Sequence, residues 1–344
     1  MKIEIHLLQN FAPSCLNRDD TNTPKSCVFG GYPRARVSSQ CWKRAVRSHF
    51  GTAHRTKRIQ QELAKRLGDS ADATKIRAFV EAQYSKFDGK RPDETAVLVF
   101  IGDAELEEAA ACIREGTADR AAADRLRAAR QAADVAMFGR MLAEKPQGNV
   151  DAACQVAHAI STHAVDLEDD FYTAVDDLAE ESGEIGAGMM GTQGFNSACF
   201  YRYAVIDREI LSHHLGKDAM EKTVAGFLRA FALAVPAAKQ NSHAAQSLPS
   251  FGLLVARDHG TPVSLANAFC RPIKGSDLIG ESIRALCDYQ ACMGRVYGLY
   301  TDATLAVFHD RGEAAARGNL GHLIAADRGT LDGAIAAVME RINQ

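Results

Sequence analysis

The sequence has little of what a metal centre, a disulfide scaffold or a membrane protein requires. Its nine cysteines include no C-x-x-C pair. An odd count at irregular spacing argues against both a zinc site and a disulfide framework, so no metal and no cofactor are expected. No run of about 18 apolar residues is present, which excludes a transmembrane helix. Met1 to His6 threads charge through its apolar positions, unlike a signal peptide, so a cytoplasmic protein is expected. Aromatics make up 7% and tryptophan occurs once. With no basic-Gly-aromatic strand of the RNP1 kind, a sheet that reads bases by stacking is not expected.

What is present is segregated charge. Residues 1–66 hold thirteen Lys or Arg against four acids, a balance of +9 in a chain whose net charge is −3. Such asymmetry suits a polyanion partner at one end, and a solvated basic face is the plainer alternative.

Periodicity divides the 344 residues into an α+β pattern. Ile3, Ile5 and Leu7 alternate with Lys2, Glu4 and His6, predicting a half-buried strand. A polar loop is expected from Asn10 to Val37, followed by a helix over 38–50 with Ser38 as its N-cap. Charged, Ala-rich segments near 55–67, 72–87, 103–115 and 117–143 predict helices, as does 150–163. Phe171–Val175 and Ala198–Val205 predict strands flanking a glycine-rich stretch at 183–194, an extended hairpin arm. Helices near 218–235, 276–290 and 329–342 and a strand near 251–256 complete the pattern.

The helix at 38–50 carries the strongest chemical signal. Gln40, Lys43, Arg44 and Arg47 fall on one face, and Trp42, Ala45, Val46 and Phe50 on the other. Arg34 and Arg36 precede it in extended chain, where alternation sends both to one side; Arg18 and Lys25 lie in the loop before. Clustered cations of this kind neutralise phosphates, and the amides near Ser38 and Ser39 offer a second anion site. Competing chemistry is poorly supported. Gly186 to Gly191 matches G-x-G-x-x-G, but acids precede it and no helix follows, so a nicotinamide site is not favoured. His158 and His163 are five apart, not the i, i+4 pair of a zincin. His213 and His214 sit at a helix end, where positive charge is favoured. No cysteine has a basic neighbour to activate it. Asp19 and Asp20 are either turn caps or, as the sharper alternative, cleavage residues beside bound RNA; turn caps are favoured.

Ser14 to Asp20, Phe29-Gly30-Gly31 and Arg36 to Ala45 closely resemble the N-terminal signature of the CasC family, the guide-RNA-binding backbone subunits of type I-E CRISPR Cascade. The resemblance continues in Gly139-Arg140-Met141, His158 to His163, Phe171 to Leu178, Gly191-Thr192-Gln193, Phe200 to Tyr203, Ala238-Lys239-Gln240 and Ser264 to Phe269. It implies an RRM-like (ferredoxin-like) palm, a helical fingers insertion and a β-hairpin thumb. The expected division is palm at 1–54, fingers at 55–145, a return to the palm at 146–170, thumb at 171–206 and palm again at 207–344. The implied function is non-catalytic: polymerising along crRNA and presenting the spacer to target DNA in antiviral defence. Implied partners are crRNA, target DNA through the guide, further copies in a helical filament, and the large, small, 5′-handle-capping and 3′-hairpin-binding subunits. By resemblance, Arg18, Lys25, Ser38, Gln40, Lys43 and Arg47 contact the RNA backbone. Met141, Phe171, Tyr172 and Thr173 wedge a displaced nucleotide, and Lys239 and Gln240 also contact RNA. Arg34, Arg36 and Arg44 join the set on their charge alone. The related enzyme alternative is an RNA-guided endoribonuclease using Asp19 or Asp20.

Overall fold

The computed structural model describes residues 1–70, 72–129, 132–175 and 187–344. The strands are β1 (Lys2–Ser14), β2 (Ser26–Phe29), β3 (Tyr32–Val37), β4 (His54–Thr56), β5 (Val99–Ile101), β6 (Cys154–Val156), β7 (Ala159–Ser161), β8 (Glu168–Val175), β9 (Ala187–Asp207), β10 (Phe251–Arg257) and β11 (Thr304–His309). The helices are α1 (Ser39–Phe50), α2 (Ile59–Leu67), α3 (Ala73–Gln83), α4 (Asp103–Glu115), α5 (Asp119–Ala128), α6 (Ala133–Phe138), α7 (Arg208–Leu215), α8 (Lys217–Leu233), α9 (Gln240–His243), α10 (Leu278–Tyr297), α11 (Glu313–Leu320) and α12 (Leu331–Asn343). The class is α+β, as the periodicity predicts.

Two compact units emerge. The helical unit comprises Met1, Arg47–Gln155 and Ile206–Phe227. Its core joins Ile59, Leu63 and Leu67 of α2 to Ile76, Phe79 and Val80 of α3 and Leu106, Ala109 and Ile113 of α4. That is the apolar stripe expected of packed amphipathic helices. Inside it Arg140 is buried, donating to Glu105 Oε2 at 2.8 Å, Phe100 O at 3.0 Å and Gly148 O at 2.8 Å. The predicted single helix over 117–143 is instead α5 and α6. It stops because Ala129 takes an extended backbone, ψ 140°.

The sheet unit comprises Lys2–Val46, Val156–Val205 and Leu228–Gln344. Its strands run in the order β11-β10-β1-β9-β7-β3-β2, with β6 and β8 also on β9. Leu8, Tyr201, Tyr203, Val255 and Val307 pack with Ile283 and Leu286 of α10 in one core. Phe11, Ala35, Val37, Ala198 and Phe200 pack with Trp42 of α1 in another. Residues 200 and 201 thus serve different cores, as strand alternation demands.

Three sequence expectations change here. The segment at 150–163 is strand, not helix: Ile160 pairs with Arg36 of β3 and with Tyr201 of β9. Sandwiched between two strands, its backbone groups are satisfied by the ladder. The loop expected at 10–37 is shorter, because β1 runs to Ser14 and β2–β3 form a hairpin. That hairpin turns at Gly30 and Gly31, φ +62° and +83°. Finally β1 lies between β10 and β9 and is covered on both faces, so Glu4 and His6 are fully buried instead of solvent-facing. Glu4 pairs with Arg257 at 2.8 Å and accepts from the Tyr203 hydroxyl at 2.7 Å. His6 Nδ1 lies 2.8 Å from the Tyr201 hydroxyl.

Candidate nucleic-acid interface

The basic loop is not slack. The Asp19 carboxylate accepts from Thr21 N at 3.0 Å, Thr21 Oγ1 at 2.8 Å and Thr23 N at 3.0 Å. Those hydrogen bonds, the Thr21 hydroxyl first, hold it below the usual carboxylate range. Arg18 donates to Asn22 Oδ1. Asn17 then ties three elements together. Its carbonyl accepts from Lys25 N at 2.9 Å, and its Oδ1 accepts from Ser38 N at 2.9 Å. Lys25 O in turn accepts from Arg36 N at 2.9 Å.

These bonds bring cations from loop, strand and helix together. Arg36 donates from Nε to Ser26 O at 3.1 Å and from Nη1 to His158 Nδ1 at 3.1 Å. A guanidinium only donates, so the His158 proton sits on Nε2. Burial lowers the His158 pKa, and the charges of Arg36 and Lys25 lower it further. At the helix, burial raises the Cys41 thiol while Arg44 and Lys25 pull it back. The charge of Lys25 is therefore felt at both His158 and Cys41. Cys15 likewise feels Arg18 and Lys239. On α1, Gln40 and Arg44 are exposed and Lys43 half-buried, while Trp42, Ala45 and Val46 are buried, the face division the sequence predicts.

Four predicted contacts stand differently. Arg34 is 0% exposed. It donates to Ser161 O at 3.1 Å, Phe269 O at 2.7 Å and Cys270 O at 3.4 Å. Alternation does put it on the Arg36 side, but at Arg34 the main chain of residues 269 and 270 takes its guanidinium, so it is no surface contact. Ser38 is also buried, and its amide is taken by Asn17, which removes it from the proposed helix-start anion site. Gln240 turns its amide inward, to Pro236 O at 2.9 Å and Ala245 O at 3.4 Å. Arg47 belongs to the helical unit, where its guanidinium lies 5.4 Å from the Phe100 ring centre; Arg55 lies 4.6 Å from the same ring.

The arm is a two-stranded ribbon. Phe171 pairs with Thr192, Tyr172 with Gly191 and Thr173 with Met190. Residues 187–194 of the glycine-rich stretch expected to join the arm strands are thus strand themselves, which excludes a dinucleotide loop there; residues 183–186 of that stretch lie outside the described residues. A Cβ on Gly191 would sit 2.7 Å from the Tyr172 hydroxyl, so glycine lets the phenol lie across the partner strand. Phe171 is 64% exposed, with Tyr172, Thr173, Met189 and Met190 also exposed. In the helical unit Met141 is 82% exposed. Uncovered apolar groups of this size point to a contact surface. At the arm's root Lys239 Nζ donates to Gln193 Oε1 at 3.0 Å, and Gln193 Nε2 lies 2.8 Å from His243 Nε2. A Cβ on Gly194 would approach Pro24 Cδ to 2.9 Å, so the root lies against the start of the Lys25 segment.

Sequence reasoning missed Asn17, His158 and Gln193. Asn17 had a usable signal, since asparagine before a turn commonly bonds nearby backbone; His158 and Gln193 act through long-range pairing that no local pattern carries. Among the described residues no group of three His, Cys, Asp or Glu is placed to hold a metal ion.

Fold and site together define a class: an α+β protein with a cationic loop–strand–helix surface and an exposed apolar ribbon. Within that class the chain belongs to the CT1975-like protein family, whose model matches residues 3–335. It is similar to a chain of a CRISPR RNA-guided surveillance complex in a pre-nicking state, at 32% identity over 98% of this chain and 100% of that one, TM-score 0.84. A chain of a second CRISPR RNA-guided surveillance complex is 28% identical, over 99% and 100% of the two chains, TM-score 0.67. No curated protein matches the sequence.

Proposed function

We propose that this protein is a crRNA-binding component of a CRISPR RNA-guided surveillance complex, and within it the non-catalytic backbone subunit that repeats along the guide. The observation that carries the reading is the junction held by Asn17, which ties the loop bearing Lys25 to the Arg36 strand and to the start of the helix bearing Arg44. Lys and Arg bind phosphates without regard to base, so any spacer is accepted. The exposed Phe171 and Tyr172 supply surfaces on which any base stacks. The similarity of nearly the whole chain to subunits of two such complexes supports the partner class. The type I-E assignment, the filament and target DNA reached through the guide rest on the sequence motifs. So do antiviral defence, the other Cascade subunits as partners and a cytoplasmic setting. The same motifs support the palm, fingers and thumb boundaries. A non-catalytic role is favoured by Asp19, whose Oδ1 accepts three hydrogen bonds from its own turn.

Purification from the host with sequencing of bound nucleic acid tests the reading. Recovery of short RNAs with diverse centres and common flanks is expected; recovery of no RNA would overturn it. Incubating the assembled complex with complementary RNA and Mg²⁺ tests the catalytic alternative. No cutting is expected, whereas regular cuts abolished by Asp20→Ala would make the subunit a nuclease.

A further inference from the structure

Four arginines among the described residues are at most 8% exposed: Arg34, Arg140, Arg202 and Arg257. Two have a carboxylate within ion-pair distance, Arg140 with Glu105 at 2.8 Å and Arg257 with Glu4 at 2.8 Å. Arg34 and Arg202 have none among the described residues. Arg34 rests on three main-chain carbonyls. Arg202 donates to Gln9 Oε1 and Phe231 O, and its guanidinium lies 3.6 Å from the centre of the Trp42 ring and 4.6 Å from that of Phe231. No acid offsets either charge. Burial alone lowers the Arg202 pKa, and around Arg34 burial leads, with only Cys27, Cys270 and Tyr32 acting against it.

Guanidinium groups stay protonated in proteins, so these are two isolated charges in low dielectric. Dipoles and ring faces soften that arrangement without neutralising it, and a well-packed apolar residue in such a place is usually no worse for folding. Both lie on or against elements that carry the surface cations. Trp42, on which Arg202 stacks, is next to Lys43 in α1, and Arg34 is two residues from Arg36 on β3.

We propose that Arg34 and Arg202 form a buried second layer of positive charge beneath the phosphate-binding face, with the backbone of bound RNA as their counter-charge. The inference rests on the RNA-binding reading of that face and names a mechanism within it. Buried charge is poorly screened by salt, so its field reaches the bound phosphates. It makes no direct phosphate contact, so it strengthens binding while leaving the salt dependence almost unchanged. Arg34, mispredicted as a surface contact, contributes to the same polyanion from below.

The test titrates the full chain with oligouridylate and oligoadenylate over a range of NaCl, using Arg202→Met, Arg202→Lys, Arg34→Met and Lys25→Ala. Trp42 is the only tryptophan, so its fluorescence reports whether α1 keeps its seat. Arg202→Met and Arg34→Met are each expected to weaken binding about three- to tenfold at every salt concentration, with unchanged slope. Arg202→Lys should restore affinity to within about twofold, because it keeps the charge and loses the planar stack. Folded Met variants that bind like wild type would overturn the proposal. So would a folded Arg202→Lys as weak as Arg202→Met, which would make Arg202 a packing group only. If Arg202→Met does not fold, Arg202→Lys and Arg34→Met decide the matter. If Lys25→Ala leaves both affinity and slope unchanged, the RNA-binding reading of the face has failed, a result separable from failure of the buried layer.

Discussion

Asn17 shows how much of the surface depends on one side chain that carries no charge. With one main-chain and one side-chain oxygen it fixes the amides of Lys25 and Ser38. Asn17→Ala removes the Oδ1 acceptor and leaves the buried Ser38 amide without it, at a cost of about 1–3 kcal/mol. We expect a lower Tm together with weaker RNA binding; an unchanged Tm measured by calorimetry would show that the loop is held elsewhere. Asn17→Asp keeps the acceptor and should keep most of the stability. The sequence pointed to Arg18 and Lys25 in this loop through charge and through the family resemblance, and charge is what it had for Arg34. Charge patterning cannot tell an arginine facing solvent from one facing carbonyls.

Individual elements follow the same logic. Gly30 and Gly31 both have positive φ, but they differ in surroundings: a Cβ on Gly30 would lie 1.9 Å from Cys270 O, whereas Gly31 has open space. Gly31→Ala should cost about 1 kcal/mol, the backbone penalty alone. Gly30→Ala should cost several times that, since the main chain at 270 must move; equal denaturant midpoints for the two variants would contradict this packing. Strand β1 makes a second element-scale prediction. Burial, then the Arg257 charge, pushes the His6 pKa from 6.5 to about 3. The folded state thus refuses a proton that the unfolded chain accepts below its ordinary value. The histidine's contribution is present above about pH 6.5 and is lost as pH falls toward 3, by up to about 1.4 kcal/mol per pH unit. Glu4 is raised by burial and acts in the opposite sense, so the comparison must be made against His6→Leu. That variant should lose the acid-side slope in Tm, and a parallel pH profile would refute the assignment. Much at this scale was legible. The faces of α1, the span of α4 and the first arm strand follow from local periodicity; the second arm strand did not, because the glycine-rich residues 187–195 pair with β8 while residues 200 and 201 of the predicted strand pair with β7. The strands β6 and β7 did not, because three-residue segments gain their structure from neighbours distant in sequence, here β3 and β9. Polar residues in β1 concealed its double burial for the same reason: their partners Tyr201, Tyr203 and Arg257 lie some 200 residues away or more.

At the scale of the molecule, a basic surface made by loop, strand and helix accompanies an exposed ribbon carrying Phe171 and Tyr172. Neither alone selects a base sequence, and together they suit a long, variable strand of RNA. If copies of the chain repeat along the guide, complexes rebuilt on longer guides should gain mass in steps of one 37.2 kDa chain. Mass photometry showing constant stoichiometry on guides of different length would rule out the repeat. The central claim, that cations grip the sugar-phosphate chain regardless of its bases, is tested most directly by one comparison. RNA affinity is measured from low to high salt, on two unrelated sequences, for wild type and a Lys25→Ala/Arg36→Ala/Arg44→Ala variant. The account predicts equal losses on both RNAs and a salt slope shallower by about two units, close to 0.7 for each lost phosphate contact on a single strand. An unchanged slope, or a loss confined to one of the two sequences, would contradict it.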